Sequence, residues 1–204
     1  MTAPRRGRPP LTDSADTRDR IVEAATELFY TKGFHGTGIA EISTVSGVQR
    51  GALYYHIKSK EELLWEIMRD YVASLLAEAQ VIASTSDDPQ TKLHNLVRSH
   101  VTLIIRYRRE VSIQLRDGGA MTGDRAVELQ DLRDRVQEVW QRVLDDGVAA
   151  GLFTTADHVI TNSLLGMVNM VAFWYRPDGP HNPDEIADML ANTTFDGLVL
   201  KQRR

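Results

Sequence analysis

Cysteine is absent from this chain of 204 residues. That excludes disulfide staples, thiolate catalysis and thiol redox sensing, and leaves the compartment unspecified by redox chemistry. No apolar run reaches the roughly 18 residues of a membrane span, and no charged-then-apolar leader opens the sequence. The expected location is the cytoplasm, with no membrane partner. Strand-like alternation, internal repeats and, beyond the N-terminus, low-complexity tracts are missing as well. So are H-E-x-x-H, a phosphate-cradling glycine loop and G-x-S-x-G. The histidines are scattered, and His94 and His100 are out of register for a metal pair on one helix face. Asp157-His158 reads as a helix cap. An enzyme is therefore the weaker class: no catalytic residue, metal site or cofactor is nominated.

A global excess of positive charge is also lacking, since the net charge is −4. The distribution matters more. Residues 1–60 hold nine Lys/Arg against six Asp/Glu, a net +3, and residues 61–204 hold 15 against 22, a net −7. With a Debye length of about 8–10 Å, phosphate attraction is decided locally, so the basic end can bind DNA.

What the chain does contain is helical periodicity. Ile21, Ala24, Ala25, Leu28 and Phe29 form an inward stripe on a helix starting near Asp16 or Thr17 and stopped by Gly33. Thr37–Leu63 reads as two short helices around a Ser46-Gly47-Val48 corner, then a third opened by the capping-box pattern Ser59-Lys60-Glu61-Glu62. Ile39, Ala40 and Ile42 should face inward from the first helix, and Val48, Ala52, Leu53 and Ile57 from the second. Gly47 supplies a positive φ at the corner, and Ala52 should permit close helix approach. The outer face of the second helix carries Gln49, Arg50, Tyr54, Tyr55 and Lys58, with His56 and Lys60 at its end. An apolar underside with a donor-rich outer face suits a DNA major groove, and the motif is a helix-turn-helix.

Further on, Leu64, Ile67, Met68, Tyr71, Leu75 and Ala79 continue one long helix to about Ser84. Ser84–Pro89 is the clearest break, and helices are expected at about 89–108, 110–121 and 124–150, the last ended by Gly147 and Gly151. A helix at about 155–176 is apolar all round, so it must be covered on nearly every side. A last helix opens at Pro183 with Ile186, Met189, Leu190, Thr193 and Gly197 on one face. The fold expected is all-α, with about nine helices in three parts: a flexible basic arm (1–14), a helix-turn-helix domain (15–60), and a helical effector-binding and dimerisation domain (61–204). The last two helices, with Gly166 and Gly197 allowing close approach, should pair with their copies in a homodimer.

The block Leu28–Leu63 resembles the N-terminal module of TetR-type transcriptional regulators. The matching marks are Leu28-Phe29, Lys32-Gly33-Phe34, Thr37, Ala40, Gly47-Val48, Gly51-Ala52-Leu53-Tyr54, His56 and Ser59-Lys60-Glu61 before Leu63. Ile57 stands where the family usually has Phe. The resemblance implies a dimeric repressor acting on a double-stranded, pseudo-palindromic operator. On its pattern Thr37, Tyr54, His56 and Lys60 would contact phosphates. From side-chain chemistry, Gln49 can pair with adenine, Arg50 with guanine, and Tyr55 with a thymine methyl or a phosphate, with Gly51 on the same helix. Arg5, Arg6 and Arg8, in an Arg-Gly-Arg-Pro context resembling an AT-hook, point to a minor-groove contact.

The input side is thinner. Trp140, Met167, Met170, Phe173 and Trp174 are bulky, adaptable side chains of the kind that line apolar pockets, and Arg106 could meet an acidic or CoA-bearing ligand. Phe173–Pro180, FWYRPDGP, resembles a segment of TetR-type repressors of steroid and fatty-acid degradation genes, some of which respond to acyl-CoA thioesters. The expected effector is a hydrophobic small molecule or an acyl-CoA, which would release DNA by favouring one conformation of the dimer. The competing reading is a DNA-binding regulator or architectural protein without ligand control. A filled apolar cavity in the C-terminal domain would favour ligand control, and a fully packed one the architectural reading.

Overall fold

A computed structural model describes residues 11–198. Among them every helix or strand element is helical, and no helix is long and apolar enough to cross a membrane. Ten α-helical segments occur, or nine if two that flank Met170 are counted as one broken helix. The chain divides into two compact units between Ile67 and Met68.

The first unit contains α1 (Leu11–Lys32), α2 (Ile39–Ser46), α3 (Arg50–His56) and the start of α4 (Lys60–Ala83). Helix α1 begins earlier than expected, so residues 11–14 are helical rather than part of an arm. The predicted stripe of Ile21, Ala24, Ala25, Leu28 and Phe29 is buried. Gly33, at φ 82°, donates its N–H to the Phe29 carbonyl at 2.9 Å and ends the helix. Gly47, at φ 67°, ends α2 in the left-handed region, as the corner requires.

Two inward assignments fail. Ala40 and Ala52 are exposed, because the buried stripe runs through Ile42 and Ser46 in α2 and through Leu53 in α3 and Ile57 beyond it. Ala40 lies two residues, about 200° of helix rotation, from Ile42, and Ala52 one residue, about 100°, from Leu53. Ala52 therefore does not mediate the helix contact. The Ser59 hydroxyl accepts the Glu62 N–H at 3.2 Å, while the Glu62 carboxylate reaches back to the Lys58 N–H, so α4 is capped reciprocally.

The second unit takes the rest of α4 with α5 (Pro89–Arg106), α6 (Arg108–Asp117), a 3-10 turn at Gly118–Ala120, α7 (Gly123–Ala149), α8 (His158–Asn169), α9 (Val171–Trp174) and α10 (Pro183–Leu198). Asp88 starts α5 by accepting the N–H groups of Gln90 and Thr91 at 2.9 and 3.0 Å; these bonds and that from the Thr91 hydroxyl hold its carboxyl below its usual range. Helix α5 is the central element. Its stripe Leu93, Leu96, Val97, His100, Val101 and Ile104 is buried, against α10 on one side and α7 on another. Trp140 of α7 is completely buried in this core. Gly147 lies inside α7 under the Phe153 ring rather than at the helix end; Gly151, at φ 69°, follows that end.

The helix expected at 155–176 starts later, at His158, where Asp157 accepts the Val159 N–H at 2.8 Å, and it breaks at Met170 before the short α9. It is not covered on every side within one chain: Val159, Met170, Phe173 and Trp174 are 67, 50, 55 and 49% exposed. The last helix also turns differently. Ile186, Ala187, Ala191 and Thr194 are buried, the two alanines and the threonine being small enough to let α10 approach α5, while Met189 and Thr193 face outward and Leu190 is half-buried.

Candidate nucleic-acid interface and effector cavity

In the first unit, α3 is held from below and presented from above. Leu53 and Ile57 are buried, whereas Gln49, Arg50 and Gly51 are exposed, Tyr54 is 51% exposed and Tyr55 77%. Tyr54 is thus not a core residue. His56 is half-buried and packs edge-on against Tyr55, ring centroids 5.3 Å apart. A Cβ added at Gly51 would meet nothing within 4 Å beyond its own helix, so this stretch of helix is open to a close-approaching surface.

Two residues nominated for phosphate contact have other partners. Thr37 is buried, and its hydroxyl donates to the carbonyls of Gly33 at 2.8 Å and Leu28 at 3.2 Å, closing the end of α1. The residue preceding α2 is Gly38, so Thr37 does not cap that helix. Lys60 donates to the carbonyls of Phe34 at 2.8 Å and Thr37 at 3.0 Å and lies 4.2 Å from the Phe34 ring centroid. Those carbonyls and that ring supply the electron-rich surroundings that a cation at a helix N-terminus otherwise lacks. Arg5, Arg6 and Arg8 lie outside the described residues.

Arg18 and Arg20 went unnoticed in the sequence, and they set the motif's geometry. Arg18 donates to both oxygens of Glu66 in α4 and to the His56 carbonyl at the end of α3. Arg20 holds the Ser46 carbonyl at the end of α2 through Nε and Nη2, at 3.2 and 2.9 Å. Lys32 pairs with Glu41. Much of the positive charge of residues 1–60 is thus spent inside the module. Among the described residues, the basic side chains that no hydrogen bond or ion pair engages there are those of Arg50 and Lys58, beside the exposed face of α3. The partners of Arg18 lie 38 and 48 residues away, and no local pattern announces them.

In the second unit, a partly enclosed cavity of about 240 Å³ opens among α4, α5, α6, α7 and α8. Tyr71, His100, Gln114 and Arg133 line it, each with a buried polar atom that no group in the structure satisfies. Burial pushes the Tyr71 hydroxyl pKa up, so it stays protonated. Burial lowers the His100 pKa to about 4, opposed by the neighbouring Asn169 amide, whose geometry still leaves both ring nitrogens short of a full hydrogen bond. The His100 ring is therefore neutral near pH 7. His100 falls on the apolar stripe of α5, the signal by which the sequence could have revealed it.

None of the six residues nominated for a ligand lines this cavity. Trp140 is core, edge-on to His100 with ring centroids 5.6 Å apart, and Arg106 is exposed. Met167 is half-buried, while Met170, Phe173 and Trp174 are exposed. Trp174 alone of the six borders a shallow apolar groove of about 380 Å³ with Tyr175, Pro180, Ile186 and Met189. Bulky side chains at helical spacing identified a surface here, not a pocket.

Comparison with known proteins agrees with both halves of the chain. Residues 21–67 match the profile of bacterial regulatory proteins of the tetR family, and residues 86–198 match that of the tetracyclin repressor-like C-terminal domain. The HTH-type transcriptional repressor KstR2 of Rhodococcus jostii (strain RHA1) is 29% identical over 197 residues, covering 94% of this chain and 97% of its own. The ketosteroid transcriptional regulator KstR2 of Mycobacterium tuberculosis, 23% identical, shares the fold with a TM-score of 0.83 over 90% of this chain and 95% of that one. AibR, solved in complex with isovaleryl coenzyme A and operator DNA, is 26% identical with a TM-score of 0.80 over 89% of this chain and 99% of its own. With family profiles matching both units, and with a helix-turn-helix whose recognition helix is exposed, the chain belongs to the TetR family and is a DNA-binding transcriptional regulator.

Proposed function

We propose that this protein is a ligand-released repressor that binds a pseudo-palindromic operator as a homodimer. The observation that carries the DNA half is the outer face of α3, where Gln49, Arg50, Tyr54 and Tyr55 stand exposed over the buried Leu53. Gln49 and Arg50 have the donor and acceptor geometry for adenine and guanine edges, and Tyr55 the shape for a thymine methyl or a phosphate. Tyr54, His56 and Lys58 would position the helix on the backbone. Lys60 and Thr37 act mainly from beneath, by fixing the turn. Arg5, Arg6 and Arg8 supply the minor-groove contact.

The dimer reading rests on Val159, Met170, Phe173, Trp174 and Met189, large apolar side chains left exposed on α8, α9 and α10. Gly166 has nothing within 4 Å, which leaves room for a second helix. Two copies of this surface would form an isologous four-helix interface and space two recognition helices for one symmetric site. Ligand control is supported by the cavity and by the relatives: AibR has been solved with a CoA thioester, and KstR2 is named a ketosteroid regulator. A hydrophobic or acyl-CoA effector is the reading for this chain. It acts only through different affinities for two dimer conformations, transmitted by α4, which contributes residues to both units.

The test is footprinting on the DNA flanking the protein's own gene, repeated with acyl-CoA and steroid-derived ligands. A protected pseudo-palindrome released by one ligand class is the expected result. Protection of a single asymmetric half-site would overturn the dimer reading, and protection unaffected by every ligand that binds the protein would overturn ligand control. Deleting residues 1–10 should weaken binding and flatten its salt dependence.

A further inference from the structure

Tyr71, His100, Gln114 and Arg133 come from four different helices, yet their unsatisfied polar atoms border one cavity. Buried polar groups are overwhelmingly hydrogen-bonded in folded proteins, so such a cluster in one place calls for an occupant. Their chemistry restricts it. Tyr71 and the Arg133 Nε–H are donors, Gln114 Oε1 is an acceptor, and neutral His100 is one of each. An aliphatic chain would leave all of them unpaired.

We propose that this cavity takes a compact oxygenated acyl group, a hydroxy or oxo acid or its thioester, whose carboxyl or thioester carbonyl oxygen accepts from Arg133 and whose second oxygen accepts from Tyr71, a hydroxyl there also donating to Gln114. The inference rests on reading the second unit as the effector-binding part and names what that part discriminates. Size agrees: about 240 Å³ is room for about eight waters at roughly 30 Å³ each, enough for the acyl part of a ligand but not for a coenzyme A moiety. The cavity is open on one side, so a thioester's larger portion can lie outside. Tyr71 is packed against the Tyr107 ring, centroids 5.8 Å apart, and so presents its hydroxyl from a constrained ring.

Matched eight-carbon probes test this by isothermal titration of the full-length protein: octanoate, 3-hydroxyoctanoate and 3-oxooctanoate. An oxygenated probe should bind about tenfold or more tighter than octanoate, the usual discrimination when a buried polar group is left unmatched. Tyr71→Phe and Gln114→Leu keep the shape and should each erase most of that preference while leaving octanoate affinity nearly unchanged. Octanoate binding as tightly as both oxygenated probes overturns the inference, as does a preference that survives both substitutions. Binding of neither oxygenated probe also overturns it, since the polar atoms then serve bridging water. Operator affinity measured on the same samples separates this from ligand control. Selective binding with unchanged DNA affinity keeps the cavity chemistry and removes ligand control; DNA release without oxygen selectivity does the reverse.

Discussion

Replacing Gly147 with alanine probes the packing of α7 with an outcome that runs against helix propensity. The Gly147 carbonyl accepts the N–H groups of Leu152 at 2.8 Å and Phe153 at 3.1 Å, so the chain folds back over this point of the helix. The Phe153 ring, only 2% exposed, rests on the glycine: an added Cβ would sit 2.8 Å from Cγ and closer still to Cδ2 and Cε2. Propensity alone favours alanine by about 1 kcal/mol. Against this, the ring must leave its seat, and giving up the burial of a phenylalanine costs about 1.5–3 kcal/mol, in line with overpacked cores. The net expectation is a loss of about 0.5–2 kcal/mol, or about 1–8 °C in Tm for a chain of this size. Thermal unfolding followed by far-UV circular dichroism reads it directly. The decisive comparison adds Phe153→Ala, which alone should cost about 3–5 kcal/mol. With the ring gone, alanine at 147 should become neutral or stabilising, a reversal of sign within one double-mutant cycle. Refutation would be a Gly147→Ala protein as stable as the parent, or a cycle in which the two effects simply add.

Other consequences follow from the same geometry. The His100 pKa falls from about 6.5 unfolded to about 4 folded because burial disfavours the cation, so within that window the unfolded chain holds a proton that the folded chain rejects. Stability should therefore be full above about pH 6.5 and decline toward pH 4 by about 3 kcal/mol, and His100→Phe should remove that component from urea unfolding curves taken across the window. Arg50→Ala should cost about 1–3 kcal/mol of operator affinity and relax preference at one base pair in a binding-site selection; a uniform loss across all sequences would reassign Arg50 to the phosphates. Phe173→Glu should weaken self-association about tenfold or more in sedimentation velocity, since a carboxylate would be desolvated in the interface, and an unchanged assembly would move the interface elsewhere.

Much of this molecule is legible from local pattern. The stripe in α1, the positive φ at Gly47, the Ser59 cap and the run from Leu64 to Ala79 are short-range properties, each decided by residues within about a turn of one another. The recognition face is legible for the same reason: in a seven-residue helix with Leu53 beneath, Tyr54 and Tyr55 lie about 100° and 200° round and turn outward, while Arg50 is exposed in the first turn. Ala40 and Ala52 were misread because a small residue beside a stripe carries no clear signal of which side it takes. Met170, Phe173 and Trp174 stand exposed, with Trp174 on a shallow groove, because hydrophobicity reports a wish to be covered without saying by what.

Local pattern alone makes the protein helical, makes its N-terminal part a helix-turn-helix, and shows which helix carries the donors for DNA. That Arg18, Arg20 and Lys60 hold that motif together, and that Tyr71, His100, Gln114 and Arg133 meet around one cavity, emerges from the packing of the helices. The physical reason is range. Helix periodicity, capping and turn geometry act between neighbours in the chain, whereas an arginine's carbonyl partner 38 residues away, or four polar groups from four helices, exist only once the helices have packed.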